Sequence, residues 1–390
     1  MARQTRNSRV DFLRGVAILL VLLLHFTLAF GMKNSPFELI LGPKLARALI
    51  FNGNYGVTLF FVISGYLITS MSISRWGTLE QIRPRAFYTY RFARIAPSLF
   101  LALTIIVLLG CLGVPYFTNT DDGHRLPASY FIIAIASVLT FWHNVLMQSQ
   151  GWFNYCLNIY WSLSVEEVFY LALPVAFLVL RRNWLFVLAC LALIVYAPIY
   201  RAAHVDNELY WECGYAACFD AIALGCLTAL LARKWAPTGR IAGFMRAIAA
   251  LGFVAIYLNG IDEHEIFGFS AIALCASMYL LASARDTGLG PAIGHLAKPL
   301  RWLGRHSYEL YLFHIVILAL MRNVFARGEL APYAWAMWLA LFIALSTLIA
   351  YAVARYISEP ANRALRRLSK DSLDSDEAKA ASPIALQAIE

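Results

Sequence analysis

Apolar runs close to twenty residues long recur along almost the whole chain, and few folds can accommodate them. A helix rises about 1.5 Å per residue, so twenty apolar residues match a hydrocarbon layer about 30 Å thick. Such runs occupy residues 10–30, 55–74, 92–114, 160–180, 184–200, 215–232, 245–259, 266–282, 307–324 and 334–354. A closed β-barrel would alternate apolar and polar residues along short strands, and runs such as 99–109 do not alternate. With 61% hydrophobic and 14% charged residues and a mean hydropathy of +0.64, a soluble globular domain is excluded as well. The expectation is an all-α polytopic integral membrane protein of about ten transmembrane helices plus one re-entrant or interfacial segment.

That extra segment is the run at 130–147, and it decides the side on which every later loop lies. If it does not cross, 25 of the 32 Lys and Arg residues fall on one side, which the positive-inside rule makes cytoplasmic. If it does cross, the bias vanishes. The run is therefore read as non-crossing, with both termini cytoplasmic. The formal net charge of +9 largely expresses this orientation bias and implies no nucleic-acid partner. Residues 1–9 form a basic cytoplasmic N-terminus, 10–367 the transmembrane domain, and 368–390 a polar, disordered cytoplasmic tail. The first run carries Arg14 and His25 and no clear small-residue cleavage site, so it reads as an uncleaved helix, not a signal peptide.

Ionisable groups are costly in hydrocarbon, so Arg14 and His25 on the first run constitute a functional hypothesis. Eleven residues apart, they share one side of a helix, about three turns and about 16 Å of rise from each other. Asp11, three residues before Arg14, is placed to hold it. Glu166 and Glu167 open the fourth run at its outer end; adjacent residues point about 100° apart, so one of the two is expected to face the site. His314 lies among Tyr308 and Tyr311, a setting for structural hydrogen bonding, and Ser64 with Gly56 and Gly65 reads as a small-residue helix contact. The seven cysteines show no paired metal spacing, and His124, His143, His204 and His264 have no ligand-like spacing, so no metal is assigned. Cys156, Cys213 and Cys218 fall near the outer face, where oxidation is conceivable.

Six fragments in register, RVDFLRGVA at 9–17 leading to His25, GVTLFFVISGYL at 56–67, RFARIAP at 91–97, WSLSVEEVFY at 161–170, GRHSYELYLFH at 304–314 and ISEP at 357–360, closely resemble the membrane acyltransferase 3 family. The resemblance runs essentially from residue 9 to 363 and identifies 10–367 as a transmembrane acyltransferase domain. It implies transfer of an acyl group, usually acetyl from acetyl-CoA, to a hydroxyl of a bacterial cell-surface or secreted carbohydrate or its lipid-linked precursor, at the inner membrane. The family's arginine-to-histidine spacing and Arg-x-x-Arg motif map onto Arg14, His25, Arg91 and Arg94.

On that resemblance Arg14, Arg91 and Arg94 are the expected binders of the donor's phosphates, for which the guanidinium fork is suited. His25 is the expected base or acyl carrier, with Glu166 and Glu167 orienting it or binding acceptor hydroxyls. Asp11, Ser64, Tyr308 and His314 support them. The expected partners are an acyl-CoA donor, a carbohydrate or lipid-linked glycan acceptor and membrane lipids. No fused extra-cytoplasmic hydrolase-like domain is expected, so any such partner would be a separate protein. A competing reading is a transporter of an anionic or acyl-bearing solute that uses the buried Arg and His as its binding site, although no internal repeat supports it.

Overall fold

The computed structural model of the chain describes residues 7–367 apart from positions 34, 122, 181, 287 and 290. The tail at 368–390 and the first six residues lie outside the described residues. The first helix, α1 (Ser8–Phe30), starts where the Asn7 side chain accepts the amides of Arg9 and Val10, and it stops at Gly31, whose φ of 81° favours glycine. Two short helices, α2 (Pro36–Leu41) and α3 (Pro43–Ile50), lead into α4 (Tyr55–Trp76), and α5 (Pro84–Cys111) follows. A two-residue ribbon of β1 (Thr120–Asp121) and β2 (His124–Arg125) precedes α6 (Tyr130–Leu139) and α7 (His143–Gln150). Then come α8 (Trp161–Leu180), α9 (Asn183–Ala203), α10 (Glu208–Trp211), α11 (Tyr215–Lys234), α12 (Gly239–Asn259) and α13 (Gly268–Leu281). The C-terminal part holds α14 (Pro291–Leu296), α15 (Lys298–Arg305), α16 (Ser307–Arg322) and α17 (Pro332–Val353), the last continuing through one π-helical turn, Ala354–Ser358.

Among the described residues, eight helical segments are long and apolar enough to cross a membrane. All ten apolar runs are helical, but two are shorter than the sequence suggested: α13 has 14 residues and α16 has 16. At 1.5 Å per residue these reach about 21 and 24 Å, less than a full hydrocarbon layer. Twelve of the sixteen residues of α16 are buried, so this helix is largely surrounded by protein and need not match lipid thickness.

The run at 130–147 is not one helix. It breaks at Thr140 and Trp142 into α6 and α7, and α6, at ten residues, is too short to cross. Its flanks meet: the Thr120 amide donates to the Phe153 carbonyl at 2.8 Å, and Asn154 donates to the Phe117 carbonyl at 3.2 Å. The segment enters and leaves at one end of the bundle. In keeping with that parity, α1 and α16 run side by side in the same sense. Arg14 meets Ser307 near their starts and His25 meets His314 further along, while the Gly328 amide reaches the Phe30 carbonyl beyond their ends.

Two reciprocal glycine contacts bring backbones together around this seam. Gly65 of α4 lies against the Ile222 carbonyl of α11, and Gly225 of α11 against the Val62 carbonyl of α4; a Cβ on either would collide with backbone. Gly15 and Gly304 do the same for α1 and α15, facing the carbonyls of Leu300 and Asp11. The second contact fixes where α16 begins, and so where Ser307 meets Arg14.

Candidate active site

The expected site residues gather on the inward faces of α1, α4, α5, α8 and α16, at two levels. At the first level Arg14 Nε and Nη2 donate to Ser307 Oγ at 3.1 and 2.8 Å. Arg91 donates through Nη2 to Glu167 Oε1 at 3.1 Å, and its guanidinium lies 3.7 Å from the centroid of the Tyr170 ring. Side-chain exposures of 20% and 8% make this a largely desolvated pair, in which each charge depends on the other. Glu166 lies beside Ser64, accepts weakly from the Tyr170 hydroxyl at 3.5 Å, and lies within the fields of Arg91 and Arg14. Arg94 follows one turn after Arg91, in electrostatic range of Tyr308 and Arg366.

The second level is uncharged in character. The rings of His25 and His314 meet edge to face, with centroids 5.0 Å apart. His25 Nδ1 is 2.9 Å from the Val21 carbonyl, and His314 Nδ1 is 2.8 Å from the Tyr311 carbonyl and 3.1 Å from that of Leu310. A carbonyl can only accept, so these contacts assign the proton to Nδ1 in both rings and leave the Nε2 lone pair as the basic position. His314 Nε2 is buried without a protein partner. Tyr311 joins the pair through a ring contact of 5.8 Å to His314, and its hydroxyl meets Ser162 Oγ at 2.7 Å and the Ile159 carbonyl at 2.9 Å.

Several expectations change in detail. Glu166 and Glu167 were expected at the outer end of the bundle, orienting His25 or binding acceptor hydroxyls. They engage Ser64, Tyr170 and Arg91 at the first level, and the group that orients His25 is the carbonyl one turn earlier on its own helix. Ser64 lies beside Glu166 and Tyr170, so its place next to the carboxylate matters in addition to its small size. Tyr308 donates to the Ile95 carbonyl at 2.9 Å, tying α16 to the Arg-x-x-Arg helix. Asp11 accepts from Arg305 Nε at 3.4 Å, a contact to α15 that sequence spacing gave no reason to expect. All seven cysteines are free, with Cys156, Cys213 and Cys218 buried.

The acyltransferase-domain family model matches residues 7–355 of the chain. The chain belongs to the acyltransferase 3 family. It is 25% identical to the peptidoglycan O-acetyltransferase OatA of Listeria monocytogenes, over 92% of this chain and 57% of that protein. To the O-acetyltransferase OatA of Staphylococcus aureus it is 26% identical, over 79% of this chain and 52% of that protein. The chain thus spans little more than half the length of these curated relatives. No solved structure matches it.

Within this acyltransferase domain three features escaped the sequence reading. Ser307 and Tyr170 hold Arg14 and Arg91 but belong to helices remote in sequence. Arg201, near the end of α9, is wholly buried: Nη2 donates to Asp220 Oδ2 at 2.9 Å and Nε to the Ile266 carbonyl at 2.8 Å. An aspartate inside an apolar run was the available signal, because a carboxylate there requires a partner. His143 is also wholly buried, 2.8 Å from Ser137 Oγ, and its amide donates to Ser164 Oγ, tying the re-entrant segment to α8 two residues before Glu166. Among the described residues no three His, Cys, Asp or Glu side chains gather as a metal site would require.

Proposed function

We propose that this chain is an integral-membrane O-acyltransferase that moves an acetyl group from acetyl-CoA to a hydroxyl of a bacterial surface or secreted glycan, or of its lipid-linked precursor. In this reading it sits in the bacterial inner membrane with both termini in the cytoplasm. The observation that carries the reading is the pair of imidazoles, both presenting a basic Nε2, with His25 eleven residues along α1 from Arg14 and His314 against it from α16.

The distances suit a coenzyme A thioester. The pantetheine arm has about twelve bonds between phosphate and sulfur, and at peptide-like reach that is about 14 Å. The rise from Arg14 to His25 is about 16 Å, and the arginine side chain shortens the remaining gap. With the donor's phosphates at the arginine level, the thioester arrives beside His25. Arg14 and Arg94 attract the phosphates, and Arg91 acts through Glu167, keeping that carboxylate compensated next to Glu166.

His25 Nε2 removes the proton from the acceptor hydroxyl as its oxygen attacks the thioester carbonyl. A C–O bond forms, the C–S bond breaks, and the proton passes from His25 to the departing thiolate, giving the acetyl ester and free coenzyme A. Removing a general base lowers turnover about 10²–10⁴-fold. Purified His25→Ala is therefore expected to bind acetyl-CoA normally and to lose acetyl transfer by that factor. Turnover near that of the unmodified protein would overturn the assignment, and acetyl trapped on His25 in a single-turnover experiment would replace the base by an acyl carrier.

A further inference from the structure

Beyond the site, at the end of the bundle where α1 begins, the end of α4 and the start of α5 flank an open cleft of about 600 Å³ lined by Arg75, Trp76, Gln81, Arg83, Ala86 and Tyr90. Two cations from distant parts of the chain converge on one ring in it. The Arg75 guanidinium lies 3.8 Å from the Tyr90 centroid, and that of Arg366, arriving from beyond α17, lies 5.2 Å from it. Arg75 also stands 5.8 Å from the Trp76 ring. Arg366 is within electrostatic range of both Arg75 and Arg94. Among the described residues neither Arg75 nor Arg366 has a carboxylate at ion-pair distance, and Arg366 Nε is buried without a hydrogen-bond partner.

Like charges gathered on one ring repel unless an anion sits between them, and positive-inside bias alone does not fold them over a shared aromatic face. Guanidinium forks match phosphate oxygens, and the indole and phenol faces suit a flat heterocycle. The volume lies within the range of small-molecule and cofactor sites. Tyr90 directly precedes Arg91 on α5, so a ligand in the cleft continues along that helix towards Arg91 and Arg94.

We propose that this cleft holds the 3′-phosphoadenosine head of the acyl donor, with Arg75 and Arg366 on its phosphates and the base against Trp76. The proposal rests on the acetyl-CoA reading above and adds residues that neither the motifs nor the relatives point to. Tyr90 acts as a positioning residue whose ring takes both guanidinium groups.

The test uses the full chain in nanodiscs of neutral lipid, titrated with coenzyme A, dephospho-coenzyme A and adenosine 3′,5′-bisphosphate. Unmodified protein is expected to bind the bisphosphate. Arg75→Gln and Arg366→Gln should each weaken it roughly tenfold and together roughly a hundredfold, the loss of one charge-assisted contact apiece. Arg75→Lys and Arg366→Lys should retain part of the affinity, which separates lost contacts from lost folding. The preference for acetyl-CoA over acetylpantetheine as donor should collapse in the Arg75→Gln/Arg366→Gln protein. Unchanged bisphosphate affinity in that protein would overturn the proposal while leaving the acetyltransferase reading standing. Cleft-dependent bisphosphate binding without any acetyl transfer would do the reverse. Displacement of the bisphosphate by anionic lipid at equal headgroup concentration would instead make the cleft a lipid site and refute the donor assignment.

Discussion

Replacing Asp220 with Ala tests the architecture most directly, because it leaves Arg201 with no compensating charge. The Arg201 guanidinium has 0% exposure and Asp220 has 1%. Its other acceptors are all neutral: the carbonyls of Ile266 and Ala217 and the Ser270 hydroxyl at 2.6 Å. Removing one partner of a buried ion pair costs about 3–5 kcal/mol, and at about 1.4 kcal/mol per tenfold that is about two to three and a half decades in the folding equilibrium. The pair between Arg47 and Asp262, at 3.5 Å with side-chain exposures of 68% and 88%, is the internal control. Asp262→Ala should cost about 0–1 kcal/mol, and raised salt should diminish even that. The double change Arg201→Leu/Asp220→Leu removes both charges and should recover most of the stability, since well-packed apolar residues replace buried ion pairs with little loss. Unfolding midpoints by SDS titration of mixed micelles, followed by tryptophan fluorescence, would rank the four proteins. If Asp220→Ala were indistinguishable from Asp262→Ala, Arg201 would be reaching water or headgroups, and the packing of α9 against α11 and α13 would be wrong.

Three further changes probe the seam and the helix contacts. Ser307→Ala removes the hydroxyl that takes two donors of Arg14; a hydrogen bond to a charged group is worth about 1.5–3 kcal/mol, so donor KM should rise roughly ten- to a hundredfold with kcat little changed in steady-state transfer assays. Gly65→Ala places a Cβ on the Ile222 carbonyl and should abolish the monodisperse peak in size-exclusion chromatography, whereas Gly243→Ala, where a Cβ meets nothing within 4 Å, should raise the unfolding midpoint, helix propensity alone favouring Ala by about 1 kcal/mol.

The span pattern was legible because hydropathy is local, and the Arg14–His25 axis was legible because both residues ride one helix. What the sequence could not display is which helix face meets which. The partners of Arg91, Arg14 and Arg201 lie 76, 293 and 19 residues away, and no one-helix periodicity points at them. Glu167 illustrates the limit: position along α8 suggested the outer end, but α5 runs past it deeply enough to bring Arg91 alongside. The short α13 and α16 were overdrawn for a related reason. Hydropathy counts apolar residues without asking whether lipid or protein surrounds them, and α16, enclosed by protein, has no thickness to match.

The distribution of charge along the α1–α16 seam bears on the choice between transfer and transport. After Arg14, α1 contains no Lys or Arg, and α16 contains none before Arg322 at its far end. An anion carried across would have to leave the arginines and travel about 16 Å past two imidazoles whose ring protons already face carbonyls, a path with little to offset its desolvation. Coenzyme A divides at the same place: its phosphates are charged, while its pantetheine arm and acetyl thioester are neutral. A seam that holds cations at one level and only neutral donors and acceptors at the next passes the second part of that molecule and retains the first. On the proposed reading the acetyl group reaches the far side while its carrier never does, and that separation is what an acetyltransferase with donor and acceptor on opposite faces of a membrane requires.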